Sequence, residues 1–316
     1  MGQIELTDRP TRTPLLKHYP HRHRHDSMLR SSCPVHMTSE VVALVGRRMH
    51  HWAMSNSTPP KIIISPAMAV PARAYRRLLG ALDEIGWSAD VAPRRGIEEG
   101  DTAPSRAVDW SFNDEVDDLA AAVRTARNSQ PDQPVLVLGH SFGAQLGAAL
   151  LTGETPIKCC PDGLITVGAS VPHFRHFPRL GLRELAVAEA VSVGTAIAGY
   201  WPKPGFGAPT PRTLMRQWAR MVYAGKAPFP VDGRITIPTL AVRLDDDDLV
   251  PVRAAEHFER AVTPEHLETW TYGRADCPVG GSIGHIGWLR TPRPVVEKIQ
   301  RWARFVASEG LTRRTV

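Results

Sequence analysis

Pro134-Val-Leu-Val-Leu-Gly-His-Ser-Phe-Gly-Ala-Gln-Leu-Gly-Ala-Ala-Leu-Leu151 is the stretch on which the reading of the chain turns. Pro134–Leu138 has the length and continuous apolarity of a strand buried on both faces. Phe142–Leu151, built from Gly, Ala and Leu, reads as a helix that packs closely on its neighbours. Between them, Gly139-His-Ser-Phe-Gly143 has the G-x-S-x-G spacing. A serine on so tight a strand-to-helix turn takes strained backbone angles, and the residues two places either side come too close for a Cβ. The helix that follows directs its N-terminal dipole at the place where charge would form on a carbonyl attacked by Ser141.

Outward from this turn, short apolar runs alternate with helical patterns. Lys61–Ser65, Ser88–Ala92, Leu164–Val167, Thr239–Leu244 and His266–Tyr272 read as strands. Ala72–Ile85, Asn113–Arg127 (with Asn113 as N-cap), Val252–Val262 and Arg293–Ala307 read as helices. Val41–Val45 and Met49–Met54 read as a β-hairpin that adds an antiparallel edge. This alternation predicts an α/β fold with a mostly parallel central sheet and helices on both faces.

Residues 171–232 break the pattern, with helical stretches at Arg183–Ile197 and Leu214–Tyr223 and no clear strand. They are expected to form a helical cap inserted between two halves of the core, residues 38–170 and 233–310. Phe174, Phe177, Tyr200, Trp201, Phe206 and Trp218 in this insertion either line an apolar acyl pocket or pack the cap onto the core. Residues 1–37, rich in Pro, Arg and His without a hydrophobic period, read as a disordered tail.

A serine hydroxyl needs a base, and the base needs an orienting acid. On a sheet of this kind the acid follows a late strand and the histidine lies near the C-terminus. Arg243-Leu-Asp-Asp-Asp-Asp-Leu-Val-Pro251 offers four acids after a strand, of which Asp247 fits the motif register and Asp246 stands second. Of thirteen histidines, His285 lies in the glycine-rich Gly280-Gly-Ser-Ile-Gly-His-Ile-Gly-Trp288, just after the last strand. His257 and His266 are explained by surface or core packing.

Composition excludes more than it assigns. The 316 residues carry a net charge of +6, but half the excess sits in residues 1–37, and no basic stripe with interleaved aromatics argues for nucleic acid. No run approaches the roughly 20 apolar residues of a membrane span. The four cysteines show neither C-x-x-C spacing nor a ligand cluster, and no apolar leader opens the chain, so reduced thiols and a cytoplasmic location are expected. Without a glycine-rich phosphate loop or a metal constellation, no cofactor and no metal are expected. Oligomeric state is not legible.

Several further stretches accompany the elbow. They are Ser65-Pro-Ala-Met-Ala-Val-Pro-Ala-Arg-Ala-Tyr75, Arg95-Gly96-Ile97, Asp109-Trp-Ser-Phe112, Gln217-Trp-Ala-Arg220, Asp247-Asp-Leu-Val-Pro251 and Gly284-His-Ile-Gly-Trp-Leu-Arg290. With them, residues 60–308 resemble the bacterial α/β-hydrolases of the serine-aminopeptidase or lysophospholipase-like group. The resemblance implies an oxyanion hole formed by the backbone N–H of Met68, or less favourably Ala69, and that of Phe142. The chain departs from the family pattern at Ala69, where relatives often have glycine. It departs again at Val91-Ala-Pro-Arg94, where relatives have an aromatic-Asp-aromatic run. The expected activity is acyl transfer to water, with Ser141 as nucleophile, His285 as base and Asp247 as orienting acid, on a small-molecule ester. Amide, thioester or acyltransferase chemistry uses the same groups, and a non-catalytic ligand-binding protein on the same fold is the rival class.

Overall fold

The computed structural model describes residues 59–153, 159–203 and 205–312, with side chains to residue 307. The expected tail and the Val41–Met54 hairpin lie outside these residues. Among the described residues the sheet has six strands, all parallel, in the order β2-β1-β3-β4-β7-β8. They are β1 (Lys61–Ser65), β2 (Ala89–Val91), β3 (Val135–His140), β4 (Gly163–Val167), β7 (Thr239–Leu244) and β8 (Leu267–Tyr272).

Period-2 side-chain alternation explains why these short runs are apolar throughout. Ile63, Val135 and Val137 point to one face, where Phe112, Leu119, Val123 and Leu146 pack on them. Ile62, Ile64, Leu136 and Leu138 point to the other, against Leu78, Leu82, Val295 and Ile299. The helices behind these contacts are α2 (Phe112–Ser129) and α3 (Phe142–Thr152) on the first face, with α1 (Arg76–Asp83) and α7 (Arg293–Thr312) on the second. Each fully buried Leu or Ile contributes roughly 1.5–3 kcal/mol, so a strand buried on both faces is held chiefly by its side chains.

Two local expectations are corrected. The N-cap of α2 is Ser111, not Asn113. Ser111 Oγ accepts from the Asp114 N–H while the Asp114 carboxylate accepts from the Ser111 N–H, closing a capping box that places Asn113 inside the helix. Strand β3 also runs two residues past Leu138, to His140.

Between β4 and β7 the chain leaves the sheet and forms α4 (Leu182–Ala198) and α5 (Arg212–Ala224). They are joined through a two-stranded antiparallel pair, β5 (Tyr200–Trp201) and β6 (Thr210–Pro211). This insertion was expected to lack strands; the pair is only two residues long on each side, too short to leave a period in the sequence. Ala188, Val191, Met215, Ala219 and Val222 form its own small core, with Phe174, Trp201, Phe206 and Trp218 packed against it. Those four aromatics therefore pack the insertion itself.

The Asp109–Phe112 and Gln217–Arg220 stretches tie the insertion down. Asp109 accepts from the Thr213 N–H at 2.9 Å and the Thr213 hydroxyl at 2.6 Å and pairs with Arg212 at 3.0 Å. The Phe112 N–H donates to Gln217 Oε1 at 2.7 Å. After β7, α6 (Val252–Glu259) returns to the sheet. Among the described residues no helix is long and apolar enough to cross a membrane.

Candidate active site

Ser141 occupies the turn between β3 and α3 with φ 53° and ψ −115°, a conformation costly for any residue with a side chain. Its N–H donates to the Val167 carbonyl at 2.8 Å, which fastens the turn to β4. A Cβ on Gly143 would strike the backbone carbonyl of Ser65 at the end of β1, and one on Gly139 would strike the backbone of Ala144. The motif glycines thus let β1, β3 and α3 converge on the serine.

His285 Nε2 lies 2.8 Å from Ser141 Oγ, and His285 Nδ1 lies 2.6 Å from Asp247 Oδ2. The Asp247 side chain is 1% exposed and that of His285 11%. Asp247 Oδ1 accepts from the N–H groups of Leu249 and Val250 at 3.0 and 3.1 Å, so both carboxylate oxygens are engaged. Asp246 points away, 61% exposed and 3.5 Å from Arg274. His257 meets His176 at 3.0 Å, and His266 meets Thr263 at 2.7 Å; neither reaches the serine. Gly168, after β4, lies under the pair. A Cβ there would come within 3.2 Å of the His285 ring and 3.3 Å of Asp247 Oδ2.

Met68 stands in a tight turn closed by the Val70 N–H donating to the Ala67 carbonyl at 3.2 Å. The next residue, Ala69, has φ 58°, in the left-handed region that favours glycine, and an alanine there costs about 1–2 kcal/mol. Phe142 opens α3, where a helix leaves its N–H groups unpaired. Neither the Met68 nor the Phe142 N–H has an acceptor among the described residues. Arg94, at the end of the Val91–Arg94 stretch, braces both segments. Buried, it donates to Glu115 and to the Pro66 carbonyl, and its guanidinium lies 5.0 Å from the Phe142 ring centroid. Trp110 Nε1 donates to the other Glu115 oxygen at 3.0 Å.

His140, a variable position of the motif, carries a role that the spacing does not reveal. Its Nε2 faces the His285 carbonyl at 2.8 Å, and a carbonyl only accepts, so Nε2 holds the proton. Nδ1 then accepts from the Tyr75 hydroxyl at 2.9 Å, and that oxygen accepts from the Ala67 N–H at 2.8 Å. The 3.3 Å approach of Trp288 Nε1 to His140 Nε2 is then a contact between two N–H groups within a T-shaped ring pair. Complete burial, with His285 adding to it, pushes the His140 pKa down to about 3, so the ring stays neutral. Burial likewise pushes the Tyr75 hydroxyl well above its ordinary value. One buried chain of hydrogen bonds therefore joins the turn at Ala67 to the backbone of His285. The only sequence signal for it was Tyr75, at the end of the Ser65–Tyr75 stretch.

A cavity of about 160 Å³ borders Gly168 and Asp247 beneath α6. Neither Ser141 nor His285 lines it. Among the described residues no group of three or more His, Cys, Asp or Glu is placed to hold a metal ion.

The parallel sheet, the strained serine after its third strand in sequence and the insertion after β4 together form the α/β-hydrolase fold. Residues 58–198 match the family model for serine aminopeptidases, S33. One of the metagenome-derived lipolytic enzymes LipS and LipT superposes with a TM-score of 0.56 at 16% identity, over 78% of this chain and 94% of that one. A soluble variant of the Saccharomyces cerevisiae monoglyceride lipase gives 0.57 at 13% identity, over 79% and 88%. A thermophilic esterase of Thermogutta terrifontis gives 0.52 at 16% identity, over 79% and 91%. At these identities the likeness is one of fold. No curated protein sequence matches the chain.

Proposed function

We propose that this chain is a serine hydrolase that cleaves a carboxylic ester of a small molecule through an acyl-enzyme on Ser141. The observation that carries the reading is the unbroken line from Ser141 Oγ to His285 Nε2 at 2.8 Å and from His285 Nδ1 to Asp247 at 2.6 Å. In the proposed mechanism, Ser141 Oγ attacks the carbonyl carbon and His285 Nε2 takes its proton. The buried Asp247 carboxylate holds the Nδ1–H tautomer and offsets the imidazolium charge.

Negative charge gathers on the carbonyl oxygen, and the unpaired N–H groups of Met68 and Phe142 are the proposed donors to it; each such donor is typically worth about 3 kcal/mol. His285 returns the proton to the departing alcohol, the C–O bond breaks, and the acyl group remains on Ser141. Water, deprotonated by the same imidazole, then releases the acid and restores the serine. The insertion between β4 and β7 acts as a cap over this site, since Met68 packs on the insertion's own core.

The match to a serine aminopeptidase model favours amide cleavage as the second reading. Both readings meet in one experiment. The wild type and Ser141→Ala are assayed on p-nitrophenyl esters from acetate to palmitate, beside aminoacyl p-nitroanilides, and each is treated with a fluorophosphonate probe. Ester turnover and labelling that vanish in Ser141→Ala support the ester reading, while turnover confined to the anilides replaces it with the amide reading. A folded protein that neither turns over nor labels overturns the enzymatic reading.

A further inference from the structure

Helix α4 is built inside out for a surface helix. Surface helices of globular proteins normally turn polar residues outward. Over its 17 residues α4 has three charged side chains, Arg183, Glu184 and Glu189. Its inner face is narrow: Ala188, Val191 and Thr195 are buried, the first two packed with Met215, Ala219 and Val222 of α5. Its outer face carries Leu182, Val193 and Ile197, which are 66%, 48% and 68% exposed. Ala186 and Ala190 lie between them, also exposed, so the stripe runs at helical spacing along the full length of α4. Leu180, just before the helix, is 76% exposed, and Arg179 and Leu180 both hold left-handed backbone angles (φ 52° and 55°). Such strain at non-glycine residues, spent on leaving a leucine in water, concentrates where a surface has a task.

The charge around this ridge says what covers it. Residues 171–232 contain eight Lys/Arg and three Asp/Glu, a net +5 within a chain of net +6. Arg179 and Arg183 flank the start of the apolar stripe and are exposed. On α5, Arg216, Arg220 and Tyr223 form an exposed row at i, i+4 and i+7. The Tyr223 hydroxyl donates to Glu189 of α4 at 2.9 Å, which brings that row alongside α4. An apolar ridge bordered by cations matches a bilayer bearing anionic headgroups, where aliphatic side chains enter the acyl boundary and Arg meets phosphate. A second copy of the chain fits poorly, since a two-fold contact through this face would set +5 against +5.

We propose that the outer face of α4, with the basic row of α5, docks the protein on anionic lipid bilayers. The inference does not depend on the hydrolase reading, and binding is measured on the Ser141→Ala protein as well as the wild type.

The test is co-sedimentation of the full chain with vesicles of phosphatidylcholine alone and with one-third phosphatidylglycerol. Binding is expected on the anionic vesicles, and should weaken as salt is raised. Val193→Glu with Ile197→Glu should reduce it by at least about tenfold while circular dichroism and soluble-ester turnover stay unchanged. Both positions are exposed, so neither substitution opens a cavity. Arg216→Glu with Arg220→Glu should reduce binding separately and flatten its salt dependence. The proposal is overturned if the wild type does not bind anionic vesicles, or if both double variants bind as the wild type does. It is also overturned if the wild type is a dimer that Val193→Glu with Ile197→Glu converts to a monomer without loss of vesicle binding.

Discussion

Replacing Asp247 by asparagine changes one atom in size and shape hardly at all, which makes it a sharp probe of the proposed mechanism. In the structure, Asp247 Oδ1 accepts from the N–H groups of Leu249 and Val250, and Oδ2 faces His285 Nδ1. An asparagine has one accepting oxygen, and the two backbone donors hold it on their side. Its NH₂ must therefore face Nδ1, which can meet a donor only by losing its proton. The imidazole then carries its hydrogen on Nε2, where it points at Ser141 and cannot remove the serine proton. Reversal of the tautomer, with loss of the carboxylate opposite the imidazolium, predicts a fall in kcat of about 10⁴-fold, equivalent to about 5.4 kcal/mol in the barrier. Asp246→Asn, at an exposed site paired with Arg274, should change kcat by less than about threefold. Initial rates on the best p-nitrophenyl ester for both variants decide the matter, with thermal melts to show that both are folded. A drop of less than tenfold for Asp247→Asn, or an equal drop for Asp246→Asn, refutes the reasoning.

Gly168→Ala puts a methyl group about 3.2 Å from the His285 ring at a residue with φ 59°; it should cost about 1–2 kcal/mol of stability and lower kcat by roughly tenfold. Gly80→Ala, in open space on α1, should instead stabilise by about 0.5–1 kcal/mol and leave kcat alone; urea melts and initial rates compare the two, and equal effects would remove the role assigned to Gly168. His140, held neutral with a folded pKa of about 3 against 6.5, binds its proton more readily when unfolded, so its contribution to stability is complete above pH 6.5 and lost as pH falls toward 3, at up to about 1.4 kcal/mol per pH unit. Urea midpoints between pH 7 and 5 should therefore fall for the wild type and fall less for His140→Gln, and parallel slopes would refute the assignment.

The parts of this molecule written in local pattern were legible, and those written in contacts were not. Strands such as Ile62–Ile64 and Val135–Leu138 announce themselves because both of their faces are buried, so every residue must be apolar. The elbow is legible because close approach of β1 to α3 forbids a Cβ at Gly143. Asp247 and His285 were placed by chain order and by the loops that carry them, and the fold brings both to Ser141. The α2 cap was misread because Asn113 and Ser111 are both good caps, and only the reciprocal bond to Asp114 selects Ser111. The β5–β6 pair was invisible because two residues have no period. Arg94 reads as one more surface cation until its burial against Glu115 and Pro66 is seen, since nothing local says that a charge faces inward.

The hydrogen-bond chain from Ala67 through Tyr75 and His140 to the His285 carbonyl suggests why the site needs a neutral histidine beside the serine. In the proposed cycle His285 gains and loses a proton in every turnover, while the N–H groups of the Met68 turn and of Phe142 must keep their aim. A charged neighbour 5.3 Å from the His285 ring would oppose the imidazolium as it forms. Burial removes that charge from His140, and a neutral imidazole still supplies one donor and one acceptor. It can therefore hold the His285 backbone and the Tyr75 hydroxyl at once. Tyr75 in turn keeps its proton because burial raises its pKa, so each bond in the chain keeps its direction through the proposed cycle. Phenylalanine at 75 would leave the Ala67 N–H and His140 Nδ1 both unpaired in a dry interior, at about 1–3 kcal/mol apiece. That penalty falls on the two loops whose relative position the proposed chemistry requires, so this buried network holds the candidate site together as well as the fold.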